Sequence, residues 1–148
     1  MILDVILRVA AKLFIPFIIM FGLYVQWHGD YGPGGGFQAG VIIAAAVILY
    51  AIVFGKDAAV RMVPKPLVEA MVPLGVLIYA GVGVWAQIMG GEYLNYDVLF
   101  HFPPSDYEAI HGQHWGVFLV EAGVLVTVAG TMLSIVYSFV DRGRGDDG

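Results

Sequence analysis

The sequence predicts an all-α integral membrane protein with four transmembrane helices, both termini in the cytoplasm and an ordered outer loop between the third and fourth helices. Three observations lead there. Hydrophobic residues make up 59% of the 148-residue chain and charged residues only 13%, against roughly half and a quarter in soluble domains. Four apolar runs, residues 5–27, 37–54, 67–89 and 114–140, each approach the ~20 residues that cross ~30 Å of hydrocarbon as a helix. All seven Lys and Arg residues fall on one side of those runs. The four spans use up the chain, so residues 1–148 form a single membrane domain. With no cysteine the chain offers neither disulfides nor thiolate ligands for a metal or iron–sulfur cluster, no cofactor is expected, and any redox chemistry belongs to a partner. A formal net charge of −5 has the wrong sign for a nucleic-acid partner.

The first span carries Arg8 and Lys12 deep within it, then Pro16, and no small-x-small site precedes His28, so it reads as a mature helix and not as a cleaved signal. Asp4, Arg8 and Lys12 fall at i, i+4 and i+8, the spacing of an ion ladder along a helix, with Lys12 snorkelling to the headgroups. Residues 13–27 alone are too short to cross, which holds Lys12 near the membrane edge and also makes it a candidate for a conductive path.

Between spans one and two stands HGDYGPGGGFQAG, residues 28–40. Pro33 lacks an N–H and pushes Gly32 away from helical angles, while Gly34, Gly35 and Gly36 can take positive φ, so the helix stops and the chain reverses in a tight hairpin. A phosphate-cradling loop would need a following Lys-Ser/Thr or a βαβ frame, and neither is present. Gly32, Gly36, Gly40 and Ala44 recur every fourth residue, a stripe that lets a neighbouring helix approach closely.

The cations set orientation. Arg8 and Lys12 belong to the N-terminal end, Lys56, Arg61 and Lys65 to the connection between spans two and three, and Arg142 and Arg144 to the C-terminal end. The positive-inside rule therefore puts both termini in the cytoplasm and the glycine hairpin outside. Asp30, Glu92, Asp97, Asp106, Glu108, all four histidines and all three tryptophans gather on that outer side.

Glu69, one turn inside the third span, is an interfacial carboxylate. The outer segment that follows contains Pro103-Pro104, which excludes one continuous helix through it, and its aromatic residues predict an ordered cover over the outer surface. His101, His111 and His114 lie in or beside it, but a pair at i, i+3 with no placed third ligand does not specify a metal site.

The fourth span holds Glu121, the only acid well inside a span. A charge near the bilayer centre costs ~2.5–3.5 kcal/mol on insertion scales, and such groups generally face protein or water. His114 lies seven residues earlier, almost two full turns, on the same face and about 10 Å nearer the outside. Two readings stand side by side, a proton path and structural glue to a neighbouring helix. Gly116, Gly123, Thr127, Gly130 and Ser134 cluster on the other face, so the small stripe is expected against helices of this chain and Glu121 against another subunit or a water-filled seam.

The hairpin and the span it leads into, HGDYGPGGGFQAGVIIAAAVILYAIVFG, resemble the signature of the MnhB/MrpB-like membrane subunits of Mrp-type multisubunit cation/proton antiporters, a histidine followed by Pro-Gly-Gly-Gly-Phe-x-x-Gly. Pro33, Gly34, Gly35, Gly36, Phe37 and Gly40 carry that resemblance, while His28 stands at a longer spacing from the proline than the family's. The likeness extends over the whole chain, with four spans and an acidic residue in the fourth. It implies a hetero-oligomer with other membrane subunits in the lipid bilayer, and Na+ or K+ and H+ as the transported ions. Related subunits occur in membrane-bound hydrogenases and sulfur reductases, which keeps a respiratory membrane arm as an alternative, with a purely structural spacer as another. No nucleophile–base pair and no nucleotide motif is visible, so the chain reads as a transport-complex subunit and not an enzyme, with Glu121, His114, His28 and Lys12 as candidates for the ion or proton path.

Overall fold

The computed structural model describes residues 2–29, 35–96 and 106–145. Among them are five helices: α1 (Ile2–Trp27), α2 (Gly36–Phe54), α3 (Lys56–Met62), α4 (Lys65–Ile88) and α5 (Asp106–Gly145). Four are long and apolar enough to cross a membrane, over Asp4–Trp27, Gly36–Phe54, Lys65–Ile88 and His114–Arg142. The expectations resting on Pro33, Gly34, His101 and the side chain of His111, and on the aromatic cover across residues 97–105, lie outside the described residues.

Two elements differ from the sequence reading. The connection between the second and third spans is itself a short helix, α3, entered through Gly55 at φ +89°. Its Ala59 is fully buried in a cluster with Ala44, Val47, Val68, Leu133 and Tyr137. At seven residues α3 is too short to give a membrane-length signal, and only its one buried face reveals it. The last helix also starts earlier than residue 114, at Asp106, two residues after the paired prolines that cannot continue a helix.

Contacts place α5 between α2 and α4, with α1 on the far side of α2 and touching α5 only slightly. The order across the layer is therefore α1–α2–α5–α4. Lipid tails are as apolar as leucine, so burial of large side chains does not drive this packing, and close approach of backbones does. Accordingly the buried apolar residues are mostly small, including Ala11, Ala39, Ala44, Ala46, Ala86 and Ala129. Phe14, Phe17, Phe21, Leu77 and Phe139 point outward. At the α4/α5 crossing, a Cβ on Gly123 would stand 2.8 Å from the Gly75 carbonyl and one on Gly75 2.5 Å from the Gly123 carbonyl. Gly130 is held equally tightly against Met71. The small stripe of α5 thus faces α4, as its wheel position predicts.

At the end where α1 begins and α5 finishes, charge and hydrogen bonds join the elements. Asp141 of α5 is ion-paired with Lys56 of α3 and, at 2.5 Å, with Lys65 of α4. The Tyr137 hydroxyl donates to the Val63 carbonyl at 3.1 Å. The hydroxyls of Thr127, Thr131 and Ser138 donate back to carbonyls one turn earlier in their own helix, which satisfies them without reaching a neighbour.

Candidate functional site

Glu121 does not point away from the chain. The face of α5 opposite the small stripe packs against α2 and the end of α1, and the Glu121 carboxylate lies directly beneath the hinge that joins them. A Cβ on Gly29 would collide with both carboxylate oxygens, and one on Gly35 would stand 3.1 Å from Oε1. Gly36 is placed still closer, its missing Cβ falling onto the Glu121 carbonyl. One turn inward, Gly40 meets the Leu125 carbonyl and Val128 in the same way. The Glu121 carboxylate, expected against another subunit or a water-filled seam, is therefore seated against this chain's own hinge. Four helices suffice because the hinge supplies backbone instead of a fifth helix, and three glycines let that backbone come down onto the carboxylate.

The local sequence explains the seat. α1 ends at Trp27 and the amide of His28 donates to the Tyr24 carbonyl at 3.1 Å, the last helical bond. Gly35 sits at φ +133°, a region that L side chains rarely adopt and glycine reaches freely, and the chain enters α2 at the next residue. Rings surround the seat. Trp27 packs on Phe118 with centroids 4.6 Å apart, Trp115 meets Phe118 edge-on at 6.0 Å, and His114 meets Trp115 edge-on at 6.3 Å. His28 stacks on Tyr24 at 5.4 Å. Glu121 and His114 are both half-buried.

The structure thus brings together Glu121, Gly35, Gly36 and the Gly29 that follows His28, with His114 two turns outward on α5. Gly40 belongs to the same α2/α5 contact. Phe37 is exposed, on the face of α2 turned away from Glu121. Lys12 is not part of this site. It lies over the ring of Phe54, 5.7 Å from the centroid, about 24 Å along α1 from His28. Among the described residues no three His, Asp or Glu side chains converge as a metal site would require.

The outer segment continues the aromatic surround. The rings of Tyr93 and Tyr96 lie where a Cβ on Gly83 and on Gly116 would be, so residues just beyond α4 fold down onto α4 and α5. Burial, and secondarily the neighbouring Tyr79 and Tyr93, raise the Tyr96 hydroxyl above its ordinary pKa, which keeps it neutral.

Two features escaped the sequence reading. The Lys56–Asp141–Lys65 cluster joins the connection between spans two and three to the C-terminal end of the last span. Gln26, in the last turn of α1, is 4% exposed, the one buried polar side chain among the described residues, and neither its Oε1 nor its Nε2 has a hydrogen-bond partner there. An amide inside an apolar run was the available signal for Gln26. No local signal exists for the ion cluster, because its pairing spans most of the chain.

Four membrane-length helices, held by glycine contacts and seating a half-buried carboxylate against the chain's own hinge, define a multi-pass membrane protein. The chain belongs to the family described as the domain related to the MnhB subunit of Na+/H+ antiporters, whose profile matches residues 6–134. It is similar to proteins named "Putative antiporter subunit mnhB2". The one from Staphylococcus haemolyticus (strain JCSC1435) is 30% identical over 134 residues, covering 90% of this chain and 92% of that protein. The one from Staphylococcus aureus (strain MRSA252) is 29% identical over 136 residues, covering 91% and 93%. The resemblance carried by residues 28–55 is borne out across the chain.

Proposed function

We propose that this chain is a membrane subunit of a multisubunit monovalent cation/proton antiporter, with both termini cytoplasmic, and that Glu121 is its proton-handling group. The observation that carries the reading is the seat of Glu121 beneath Gly29, Gly35 and Gly36. A carboxylate at membrane depth that serves only as glue needs one hydrogen-bonding neighbour on an adjacent helix. Here it is enclosed by glycine backbone, aromatic rings and, two turns outward, an imidazole, on the side that the cation distribution assigns to the exterior. His114 and His28 then stand between Glu121 and the outer solution, with Lys12 at the opposite membrane edge. Other membrane subunits supply the rest of the path, and the names of the relatives favour the antiporter over a hydrogenase-type membrane arm. The test is Glu121→Gln in the otherwise intact complex, assayed in inverted vesicles for Na+- and K+-dependent proton exchange. The expected result is normal assembly with antiport reduced at least tenfold; wild-type antiport with normal assembly would sink the role of Glu121.

A further inference from the structure

Gln26 is buried beside the seat of Glu121 and has no part in it so far. A carboxamide offers two N–H donors and an oxygen acceptor, and burying it unmet is costly, all the more at membrane depth where no bulk water competes. Its place in the fold is well defined. Gln26 lies on one face of the last turn of α1, and three residues further on, in the turn that follows the helix, Gly29 abuts the Glu121 carboxylate. One turn further inward on that face, Gly22 abuts the Ala39 carbonyl, Ile42 and Ile43 of α2. The Gln26 amide therefore lies in the α1/α2 seam immediately inward of Glu121, and side chains on a helix lean toward its N-terminus, here deeper into that seam.

What meets the amide must fit inside this chain, because at 4% exposure a side chain from a neighbouring subunit cannot reach it. A bare cation satisfies the oxygen and leaves the NH2 group facing positive charge. Water donates and accepts, so it alone matches both ends of the amide. We propose that Gln26 holds ordered water that links its carboxamide to the Glu121 carboxyl, making Gln26 a positioning residue and the seam a hydrated extension inward from Glu121. The Nε2–H2 group donates to the water oxygen, the water donates to the carboxylate, and Oε1 accepts from a second water. This rests on Glu121 being the proton-handling group.

Among the described residues the titratable groups near Glu121 are few. On α1, Tyr24 stacks on His28, which follows the helix and adjoins Gly29, while Lys12, Arg8 and Asp4 lie toward the far end. On α2 there is only Tyr50, about 20 Å inward. On α5, His114 stands two turns outward. Lys65, Glu69 and Tyr79 of α4 lie behind the opposite, glycine-lined face of α5. A water hydrogen bond to the carboxylate favours its charged form, so losing it raises the Glu121 pKa.

The experiment compares wild type, Gln26→Met and Gln26→Asn in the assembled complex by infrared difference spectroscopy and by the pH dependence of antiport. The Glu121 carboxyl band is identified by its loss in Glu121→Gln. For Gln26→Met, which keeps volume and removes hydrogen bonding, the band of the protonated acid should move to higher frequency. The antiport profile should shift alkaline by about one pH unit, with Gln26→Asn restoring part of both. An unchanged band and profile in Gln26→Met overturns the proposal. If that variant does not assemble, the wild-type complex decides: density for water within hydrogen-bonding distance of the Gln26 amide supports the link, and a dry seam in a map that resolves water elsewhere at equal depth overturns it. Normal antiport in Glu121→Gln would instead remove the proton reading while leaving the infrared test of the water link intact.

Discussion

At Gly36 a hydrogen stands where any other residue would place a carbon onto the Glu121 carbonyl, and neither backbone can yield without moving a whole helix. The clash at Gly29 is different in kind, since it falls on the far end of the Glu121 side chain, which can rotate. The two positions therefore separate structure from chemistry. Gly36→Ala should destabilise the assembled complex by about 1–3 kcal/mol, the ordinary range for overpacking a tight contact, read as earlier thermal release from the detergent-solubilised complex. Gly29→Ala should leave assembly near wild type and depress antiport by displacing the carboxylate. Gly81, whose Cβ would meet open space, is the control, and Gly81→Ala should change neither property. Equal effects of all three substitutions would mean that the hinge glycines set helix propensity and not the seat of Glu121.

Helix α5 works through two faces. One, lined by Gly116, Gly123 and Gly130, receives α4 and the outer tyrosines; the other carries Glu121 and receives α2 and the hinge. The backbones of α4 and α5 are close enough at Gly75 and Gly123 that dispersion between them is the main attraction, as expected where lipid removes the hydrophobic driving force. Gly75→Val should accordingly part α4 from α5 and abolish incorporation of this subunit, measured by co-purification with tagged partner subunits. The ion cluster at the other end of the bundle contributes far less. Asp141 and Lys65 keep about two fifths of their side-chain surface exposed, so solvent screens the pair, and Lys65→Met should cost no more than about 1 kcal/mol with incorporation preserved. The two variants giving similar losses would reverse this ranking of packing over charge.

For the whole molecule the open structural claim is which way it crosses the membrane. With both termini cytoplasmic, as proposed from the positive-inside asymmetry, α3 lies in the cytoplasm and the segment after α4 outside. Absence of native cysteine makes single-cysteine labelling clean. With Met62→Cys, in the exposed end of α3, a membrane-impermeant maleimide should react in inverted vesicles only, and with Glu92→Cys in intact cells only. The reverse pattern would place Glu121 on a cytoplasmic pathway and require a new reading of His114 and His28.

Fold class and span positions were legible in the sequence because they depend on local quantities, hydropathy over ~20 residues and glycine spacing along one helix. The four spans, the small stripe of α5 and the family signature at residues 33–40 all follow from that kind of information. Helix α3 did not, since seven residues carry no membrane-length signal and its reason to fold is the burial of Ala59 among residues from three other helices. Wheel angles placed Glu121 opposite the small stripe correctly, yet they assigned it to the outside of the bundle. Which neighbour fills the space opposite a helix face depends on where another part of the chain returns. Only the tertiary structure decides that the return is the glycine hinge, because three missing side chains let backbone occupy a place that a helix-counting argument leaves empty.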